Sequence, residues 1–185
     1  MIKTKNDLLR YISKDSQMLF NQNRKQHELY MKKCKDPRYL ISVYLMYLRK
    51  EEYYLNRKNK SYYTKLMARI YERKRNSLGK NLGFCMEPNC CEEGLNIYHC
   101  GCIVINPLTK IGKNCQMHGN NCIGNNGLTE KCPRIGNNVD IGFGAVLIGD
   151  IEIADDIKIG ANAVVNKSFL EKGITIAGVP ACRVK

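Results

Sequence analysis

The strongest constraint in the sequence is a six-residue period that runs through its second half. Counted in steps of six from Ile105, ten of eleven positions carry a large apolar residue. Neither the 3.6-residue period of an α-helix nor the two-residue alternation of a strand explains this count. It is typical of a left-handed parallel β-helix, where three six-residue repeats make one triangular coil and the repeated side chains point inward. The eleven positions are Ile105, Ile111, Met117, Ile123, Thr129, Ile135, Ile141, Leu147, Ile153, Ile159 and Val165.

The same count continues upstream after a slip of two residues. It gives Cys85, Cys91, Ile97 and Ile103, so Cys85 and Cys91 are predicted to be small inward-facing residues rather than metal ligands. Asparagine recurs at the expected corners, in IGKN, IGNN, IGNN and IGAN, and it tolerates the left-handed turn conformation. We therefore assign residues 81–185 to a left-handed β-helix domain.

The one exception to the period, Thr129, indicates a loop. Residues 127–134, GLTEKCPR, contain turn formers and charges and offer no inward apolar side chain. The count resumes unchanged after them, which predicts a loop extruded from the prism. Loops that leave a rigid scaffold are where binding and catalytic residues concentrate.

Residues 1–80 differ from the rest of the chain in both pattern and charge. They hold 21 Lys and Arg against 7 Asp and Glu, whereas residues 81–185 hold 9 against 10. Helical spacing of apolar residues predicts helices over 1–33 and from Tyr39 to about Arg75, with Pro37 at a helix start and a turn at 56–61. The fold class is thus α+β, with a basic α-helical domain at 1–80 followed by the β-helix.

The basic helical surface admits two interpretations. It is either a solvated helical face or a surface that contacts an anionic glycan or membrane. Nucleic acid is not predicted, because no nucleic-acid-binding motif accompanies the charge. No apolar stretch is long enough to span a membrane, and the first residues lack the apolar run of a signal peptide. A cytoplasmic protein is therefore expected, and the second interpretation of the basic surface would place it at the inner membrane surface.

Ten cysteines are interpreted as reduced thiols of a cytosolic protein. Zinc is the alternative for the region rich in cysteine and histidine, but no paired CxxC motifs appear there and we predict no metal. The residues of that alternative are Cys85, Cys90, Cys91, His99, Cys100 and Cys102.

Two of the three histidines fall in the repeat region, one coil apart. The slip of two residues lies between them, so Gly119 is predicted to stack on His99, with His118 beside it. Both imidazoles should then lie near one corner, about 5 Å apart along the coil axis. They are candidates for acid–base chemistry, although each could equally be a structural histidine.

The segment from Ile97 to Asn106, IYHCGCIVIN, and the following IGKNCQMHGNNCIG resemble serine acetyltransferases and their hexapeptide-repeat relatives, including capsule and exopolysaccharide O-acetyltransferases. The segment AGVPA at 177–181 is similar to a signature of the same family. The resemblance covers residues 78–185. It implies that His99 is the general base that takes the proton of an acceptor hydroxyl while that hydroxyl attacks acetyl-CoA.

The resemblance also implies where acetyl-CoA binds. The family places it in a groove between neighbouring subunits of a homotrimer, and N-terminal helices could join two trimers. Small residues would let the ligand approach the backbone, and basic residues near the C-terminus would meet its phosphates. The expected wall is Gly142, Gly144, Ala145, Gly160 and Ala161, and the expected cations are Lys167, Arg183 and Lys185.

Departures from serine acetyltransferases bear on the acceptor. Tyr98 stands where the family has Asp, and Lys131-Cys132 stand where it has Arg-His, so these three positions are the expected acceptor contacts. The family's supporting carboxylate falls near Cys85, and Glu87 is the nearest candidate to orient His99. His118 occupies a position that is Leu in serine acetyltransferases and often His in the polysaccharide-type relatives.

These departures favour a saccharide hydroxyl as acceptor, with serine as the alternative. The catalytic residues predicted for either acceptor are His99, His118 and Glu87. A non-catalytic β-helix that serves as a scaffold or binding module is the third interpretation.

Overall fold

The computed structural model describes residues 1–20, 24–34 and 36–184. The helices in these ranges are α1 (Lys5–Phe20), α2 (Arg24–Lys33), α3 (Pro37–Leu55) and α4 (Tyr62–Leu82). The predicted helix over 1–33 is thus described as two, and the predicted turn at 56–61 separates α3 from α4. No described helix is both long and apolar enough to span a membrane.

Local sequence explains where the last two helices begin and end. Asp36 caps α3 by accepting a bond from the Arg38 backbone N–H at 2.9 Å, and Pro37 occupies the first turn. Ser61 caps α4 through the Thr64 N–H. α4 ends at Gly83, which adopts φ +79°, a left-handed conformation that glycine reaches without a steric penalty.

From Phe84 onward the chain winds as a triangular β-helix. The first face contains β1 (Phe84–Met86), β3 (Ile103–Ile105), β6 (Cys122–Gly124), β9 (Val146–Ile148) and β12 (Val164–Val165). The second face contains β4 (Lys110–Ile111), β7 (Arg134–Ile135) and β10 (Glu152–Ile153). The third face contains β2 (Asn96–Ile97), β5 (Gln116–Met117), β8 (Asp140–Ile141), β11 (Lys158–Ile159), β13 (Thr175–Ala177) and β14 (Cys182–Arg183).

The repeated apolar residues form the core of the prism, as predicted. Neighbouring strands pair in parallel, so that Ile123 lies beside Leu147 and Leu147 beside Val165. All three side chains are buried. Among the described strands, only β13 and β14 pair antiparallel, in a closing hairpin. The predicted fold, a helical region followed by a left-handed parallel β-helix, is confirmed.

Two asparagines and an aspartate hold three successive turns at the corner between the second and third faces. Asn114, Asn138 and Asp156 have φ of 55°, 55° and 63°, the left-handed conformation that asparagine and aspartate tolerate best after glycine. The Asn114 side-chain amide donates to Asn138 at 3.0 Å, and Asn138 donates to Asp156 at 2.8 Å. Each amide therefore also ties one coil to the next.

The extruded loop is present, with slightly different limits. Met117 pairs with Ile141, and Ile141 in turn pairs with Ile159, so the first of these two coils is longer than the second by one whole repeat. The added length belongs to the segment 125–133 between β6 and β7. Arg134 therefore lies in a strand rather than in the predicted loop.

The prediction for Cys85 is wrong and that for Cys91 is confirmed. In β1, Phe84 and Met86 point inward, while Cys85 is exposed. Phe84 pairs with Ile103, so the coil between them exceeds three repeats by one position and a strict six-residue count misses the register. Cys91 is buried, with 6% of its surface exposed.

Two buried arginines join the helices to the first coils. Arg49 of α3 bonds to Asp15 of α1 at 2.8 Å and to the Cys91 carbonyl at 2.8 Å. Arg75 of α4 bonds to Glu51 at 2.6 Å and to the Met86 carbonyl. One hydrophobic core runs from α3 into the prism. The division expected after residue 80 thus separates two kinds of secondary structure within one core.

Candidate active site

His99 lies at the corner where the third face turns into the first, here called the His99 corner. Ile97 pairs with Met117, whereas Ile105 pairs with Ile123, so the coil that begins at Ile97 is the longer one by two positions. The added positions belong to the segment 98–102, which explains the slip in the sequence count. The enlarged turn leaves His99 exposed on the surface of the prism.

Gly119 lies one coil below His99, as predicted. It adopts φ +112°, and a Cβ built there would lie 3.6 Å from the His99 Cβ and 3.3 Å from the Phe143 ring. His99 and Phe143 therefore flank Gly119 along the edge of the prism. A side chain at this position would press on the Phe143 ring, would touch His99 at an ordinary contact distance and would have to adopt a disfavoured backbone conformation.

The second histidine is at the same corner, as predicted, but it contacts Tyr98 rather than His99. The Tyr98 and His118 rings stack with centroids 4.6 Å apart and an angle of 20° between the ring planes. The Tyr98 hydroxyl donates to the Gln116 side-chain oxygen at 2.6 Å, and His118 Nε2 lies 2.8 Å from Asp140 Oδ1. The neighbour of His99 in sequence is thus fixed by two residues of the next coil.

Glu87 does not orient His99, which corrects the expectation from sequence. It follows β1 at the corner between the first and second faces, and its carboxylate lies 3.4 Å from the Arg75 guanidinium. Proximity to Cys85 in sequence suggested Glu87, but the chain turns away from the His99 corner after β1. Asp140, which sequence reasoning did not single out, is the carboxylate that bonds to an imidazole at this corner.

Lys131 and Cys132 lie apart from His99 within one chain. Both belong to the extruded loop, which leaves the prism between the first and second faces. Lys131 bonds to Asp150 at 2.6 Å, and Cys132 is buried with its sulfur near the Glu130 carbonyl. They could join His99 only across an interface between two chains.

A cavity of about 410 Å³ adjoins His99 and brings in residues that the sequence pattern did not connect with it. Asp36 and Arg38, from the start of α3, face the corner formed by Tyr98, His99 and Cys100. Burial raises the pKa of the Cys100 thiol, and the Asp36 carboxylate adds to the effect. Cys100 is therefore a protonated thiol at neutral pH. The cavity presents an imidazole, a carboxylate and a guanidinium together.

Small residues continue the His99 corner down the prism. A Cβ on Gly142 would lie 2.6 Å from the backbone N of Ala161, and one on Gly160 would lie 2.8 Å from the Ala177 side chain. These glycines permit close stacking of coils and leave backbone accessible at the edge. Ala145 is fully buried with its side chain in the core, so only its backbone and that of Gly144 could contribute to a wall.

The three expected phosphate-binding cations differ in their surroundings. Lys167 follows β12 on the far side of the first face and lies over the Phe169 ring, 5.6 Å from its centroid. Arg183 pairs with Glu171 at 2.6 Å. Lys185 lies outside the described residues. Within the described ranges, no cluster of three or more His, Cys, Asp or Glu could hold a metal ion.

Comparison of sequences identifies similar proteins over the β-helix. No family model matches the chain. It is 40% identical over 90 residues to serine acetyltransferase of Helicobacter pylori, a match of 48% of this chain and 52% of that protein. It is 34% identical over 86 residues to serine acetyltransferase of Mycobacterium tuberculosis, or 45% of this chain and 37% of that protein. The chain thus spans about half the length, or less, of these relatives.

Comparison of structures extends the similarity to nearly the whole chain. Soybean serine acetyltransferase complexed with serine superposes with a TM-score of 0.74 at 20% identity, covering 97% of this chain and 70% of that one. Serine acetyltransferase from Brucella abortus in complex with coenzyme A superposes with a TM-score of 0.72 at 20% identity, covering 97% of this chain and 68% of that one. The chain therefore has the fold of the serine acetyltransferases, and its sequence confirms the resemblance to that O-acetyltransferase family.

Proposed function

We propose that the protein is an O-acetyltransferase that moves an acetyl group from acetyl-CoA to the hydroxyl of serine, with His99 as general base. The observation that carries the proposal is the cavity at the His99 corner, where an exposed imidazole adjoins Asp36 and Arg38. An imidazole titrates near neutral pH and suits removal of a proton from a hydroxyl. The similar proteins named above support the same reaction class.

His99 has a defined role in this reaction. It takes the acceptor proton as the hydroxyl oxygen bonds to the acetyl carbon, and it returns that proton to the sulfur as the carbon–sulfur bond breaks. The products are an acetyl ester and the CoA thiol. Backbone N–H groups of the corner would stabilise the negative charge that develops on the acetyl oxygen.

The donor fits the column of small residues below His99. Gly142, Gly160 and Ala161 leave backbone accessible there, which suits a long, flexible ligand that bonds to main-chain groups. Lys167, Arg183 and Lys185 remain proposed phosphate contacts. Arg183 would have to exchange its Glu171 partner for phosphate.

Serine replaces the saccharide favoured from sequence as the proposed acceptor. The case for a saccharide was the departure from the serine acetyltransferases at Tyr98, at Lys131-Cys132 and at His118, including the loss of a carboxylate where Tyr98 stands. The cavity nevertheless contains a carboxylate, Asp36, which suits an ammonium group. Both relatives compared in sequence are named serine acetyltransferases, and neither comparison supports a saccharide acceptor.

A homotrimer is part of the proposal, and the first face is its proposed interface. The outward residues of this face are apolar, whereas the second face exposes Lys110, Arg134 and Glu152. An exposed apolar ladder on a rigid face is typical of a subunit interface. The five residues of the ladder are Cys85, Val104, Cys122, Val146 and Val164. Such an interface would border the His99 corner and bring Lys131 and Cys132 of a neighbour towards it.

The cellular compartment is proposed from the chemistry of the cysteines. All ten cysteines are free thiols, which fits a reducing compartment such as the cytoplasm. The basic helical face remains either solvated or a contact surface for an anionic glycan or membrane. It plays no part in the proposed chemistry.

The test is release of CoA thiol from acetyl-CoA by the purified protein, with serine and with neutral saccharides as acceptors. Turnover with serine, lowered about 10²- to 10⁴-fold in His99→Ala, is the expected result. Acetyl-CoA should still raise the melting temperature of that variant, because His99 acts on the proton and not on donor binding. Turnover confined to saccharides would overturn serine as the proposed acceptor. Activity unchanged in His99→Ala would contradict the role of His99 as base and would favour a non-catalytic scaffold.

A further inference from the structure

A permanently charged cation lies beside the candidate base. Arg38 is the second residue of α3, and it lines the cavity that also contains His99. Its Nε and Nη2 atoms lie 3.1 and 2.8 Å from the two oxygens of Asp36, and 47% of its side chain is exposed. The guanidinium is therefore held in place while remaining accessible to a ligand.

The ion pair with Asp36 does not use all the N–H donors of the Arg38 guanidinium. Arginine has five N–H donors in a fixed planar arrangement, and the paired contact uses one on Nε and one on Nη2. Both donors on Nη1 and the second on Nη2 are not part of that contact. They could bond to another carboxylate, for which arginine is geometrically well suited.

Two other basic residues that the sequence suggested for ligand binding are engaged elsewhere. Lys131 bonds to Asp150 at 2.6 Å, and Arg183 pairs with Glu171 at 2.6 Å. Among the described residues that line the cavity, Arg38 is the only Lys or Arg. A carboxylate of an acceptor bound next to His99 would therefore meet Arg38.

We infer that Arg38 binds the carboxylate of the acceptor and makes the site selective for a hydroxy amino acid over a hydroxyl compound that lacks a carboxylate. This inference rests on the proposed acetyl transfer. Arg38 and Asp36 carry opposite charges at one side of the cavity, as the carboxylate and ammonium of a zwitterion do. Arg38 is thus a specificity-determining residue, and His99 alone acts on the proton.

The test compares two acceptors that differ by one group, serine and ethanolamine, which is serine without its carboxylate. Arg38→Gln should raise KM for serine about 10- to 100-fold, the loss expected for charged hydrogen bonds. KM for ethanolamine and kcat for both acceptors should stay within about threefold. Arg38→Lys, which keeps the charge but not the planar donor pair, should recover part of the loss for serine.

Arg57→Gln is the matched control, because Arg57 is an exposed arginine on the turn after α3 and contacts Tyr53 rather than the cavity. This variant should leave KM and kcat unchanged for both serine and ethanolamine. The Asp36 cap on the Arg38 backbone N–H survives in Arg38→Gln, so its melting temperature should match that of the control.

The outcomes separate this inference from the proposed function. If the wild-type protein turns over serine but Arg38→Gln affects serine and ethanolamine equally, Arg38 only positions Asp36 and the inference is wrong. Equal KM values for the two acceptors in the wild-type protein would overturn it as well. If the wild-type protein acetylates neither, the proposed function fails and the inference fails with it.

Discussion

His118 Nε2 lies 2.8 Å from Asp140 Oδ1, and the same imidazole stacks on the Tyr98 ring. An ionised Asp140 places the proton of a neutral His118 on Nε2 and leaves Nδ1 as the acceptor nitrogen. His118 does not line the cavity beside His99. Its contacts make it a residue that positions Tyr98, and through Tyr98 the enlarged turn that carries His99.

We expect His118→Ala to lower kcat/KM for acetyl transfer about 2- to 10-fold, the loss of one aromatic contact. Asp140→Asn should have a smaller effect, because the stacked ring remains. The check is to measure kcat/KM of both variants by steady-state kinetics and to compare them with that of His99→Ala. A loss in His118→Ala as large as in His99→Ala would instead identify His118 as the base.

The sequence predicts the β-helix well because its constraint is local and repeated. Each coil places an apolar residue inward at the same step, so Ile123, Leu147 and Val165 reveal the stacking without any knowledge of tertiary contacts. Errors arise where the step changes. Met86 lies five positions before Cys91, whereas its partner Ile105 lies six before Ile111, so one position is missing there and Cys85 points outward. Side chains alternate along a strand, and a shift of one exchanges its faces.

The site was predicted only in part, for a physical reason. His99 and His118 belong to the repeat, so counting alone placed them at one corner. Asp36 and Arg38 reach that corner because α3 packs on the first coils through Arg49. No periodicity links residues so far apart in the chain and on different elements. The pair Asp36-Pro37 signalled only the start of a helix.

Arg49 is expected to be the most important polar residue for stability. Its side chain is fully buried between Asp15 and Glu52, and it also bonds to the carbonyls of Cys91 and Glu92. Arg49→Met would leave two carboxylates buried without their cation and should cost about 3–5 kcal/mol of unfolding free energy. Urea unfolding gives this value. Arg73→Met, at an exposed position on α4, is the control and should change it by less than about 0.5 kcal/mol.

Stability should fall in mild acid, in part through Glu93. Partial burial raises the pKa of this carboxyl, but bonds to Arg10 at 2.6 Å and Lys113 at 3.2 Å outweigh burial and bring the pKa below its usual range. A depressed folded-state pKa adds stability above the unfolded value, about 4.3, and this is lost as pH falls towards the folded value.

The measurement for Glu93 is the urea midpoint between pH 6 and 3. Glu93→Gln should be less stable than the wild type at pH 6 and should converge with it at pH 3. Glu130→Gln, in the exposed part of the extruded loop, should follow the wild type throughout. A difference for Glu93→Gln that persists unchanged at pH 3 would show that its charge is not the cause.

A charged side chain introduced on the first face should disrupt the trimer if this face is the subunit interface, as proposed. Val104 points outward from β3 and is 38% exposed in the single chain. Val104→Glu would place a carboxylate in an apolar contact and should shift the protein from trimer to monomer in sedimentation velocity, with loss of acetyl transfer. Lys158→Glu, outward on the third face, should remain a trimer. A monomeric wild-type protein would contradict the proposed interface.

Gly119 provides the sharpest test of the His99 corner, because the structure offers a second glycine, Gly173, that also has a positive φ but has, among the described residues, no side chain or backbone packed against it. A Cβ on Gly119 would crowd Phe143 and contact His99, whereas one on Gly173, at φ +73°, meets nothing within 4 Å. Both alanine variants force a side chain into a disfavoured backbone region and should lose about 1–2 kcal/mol of stability. Only Gly119→Ala should also lower acetyl transfer, by at least about tenfold, since the strained turn and the pressure on Phe143 would shift the neighbouring imidazole relative to the acceptor hydroxyl. Equal activity in the two variants would mean that the reacting base lies elsewhere.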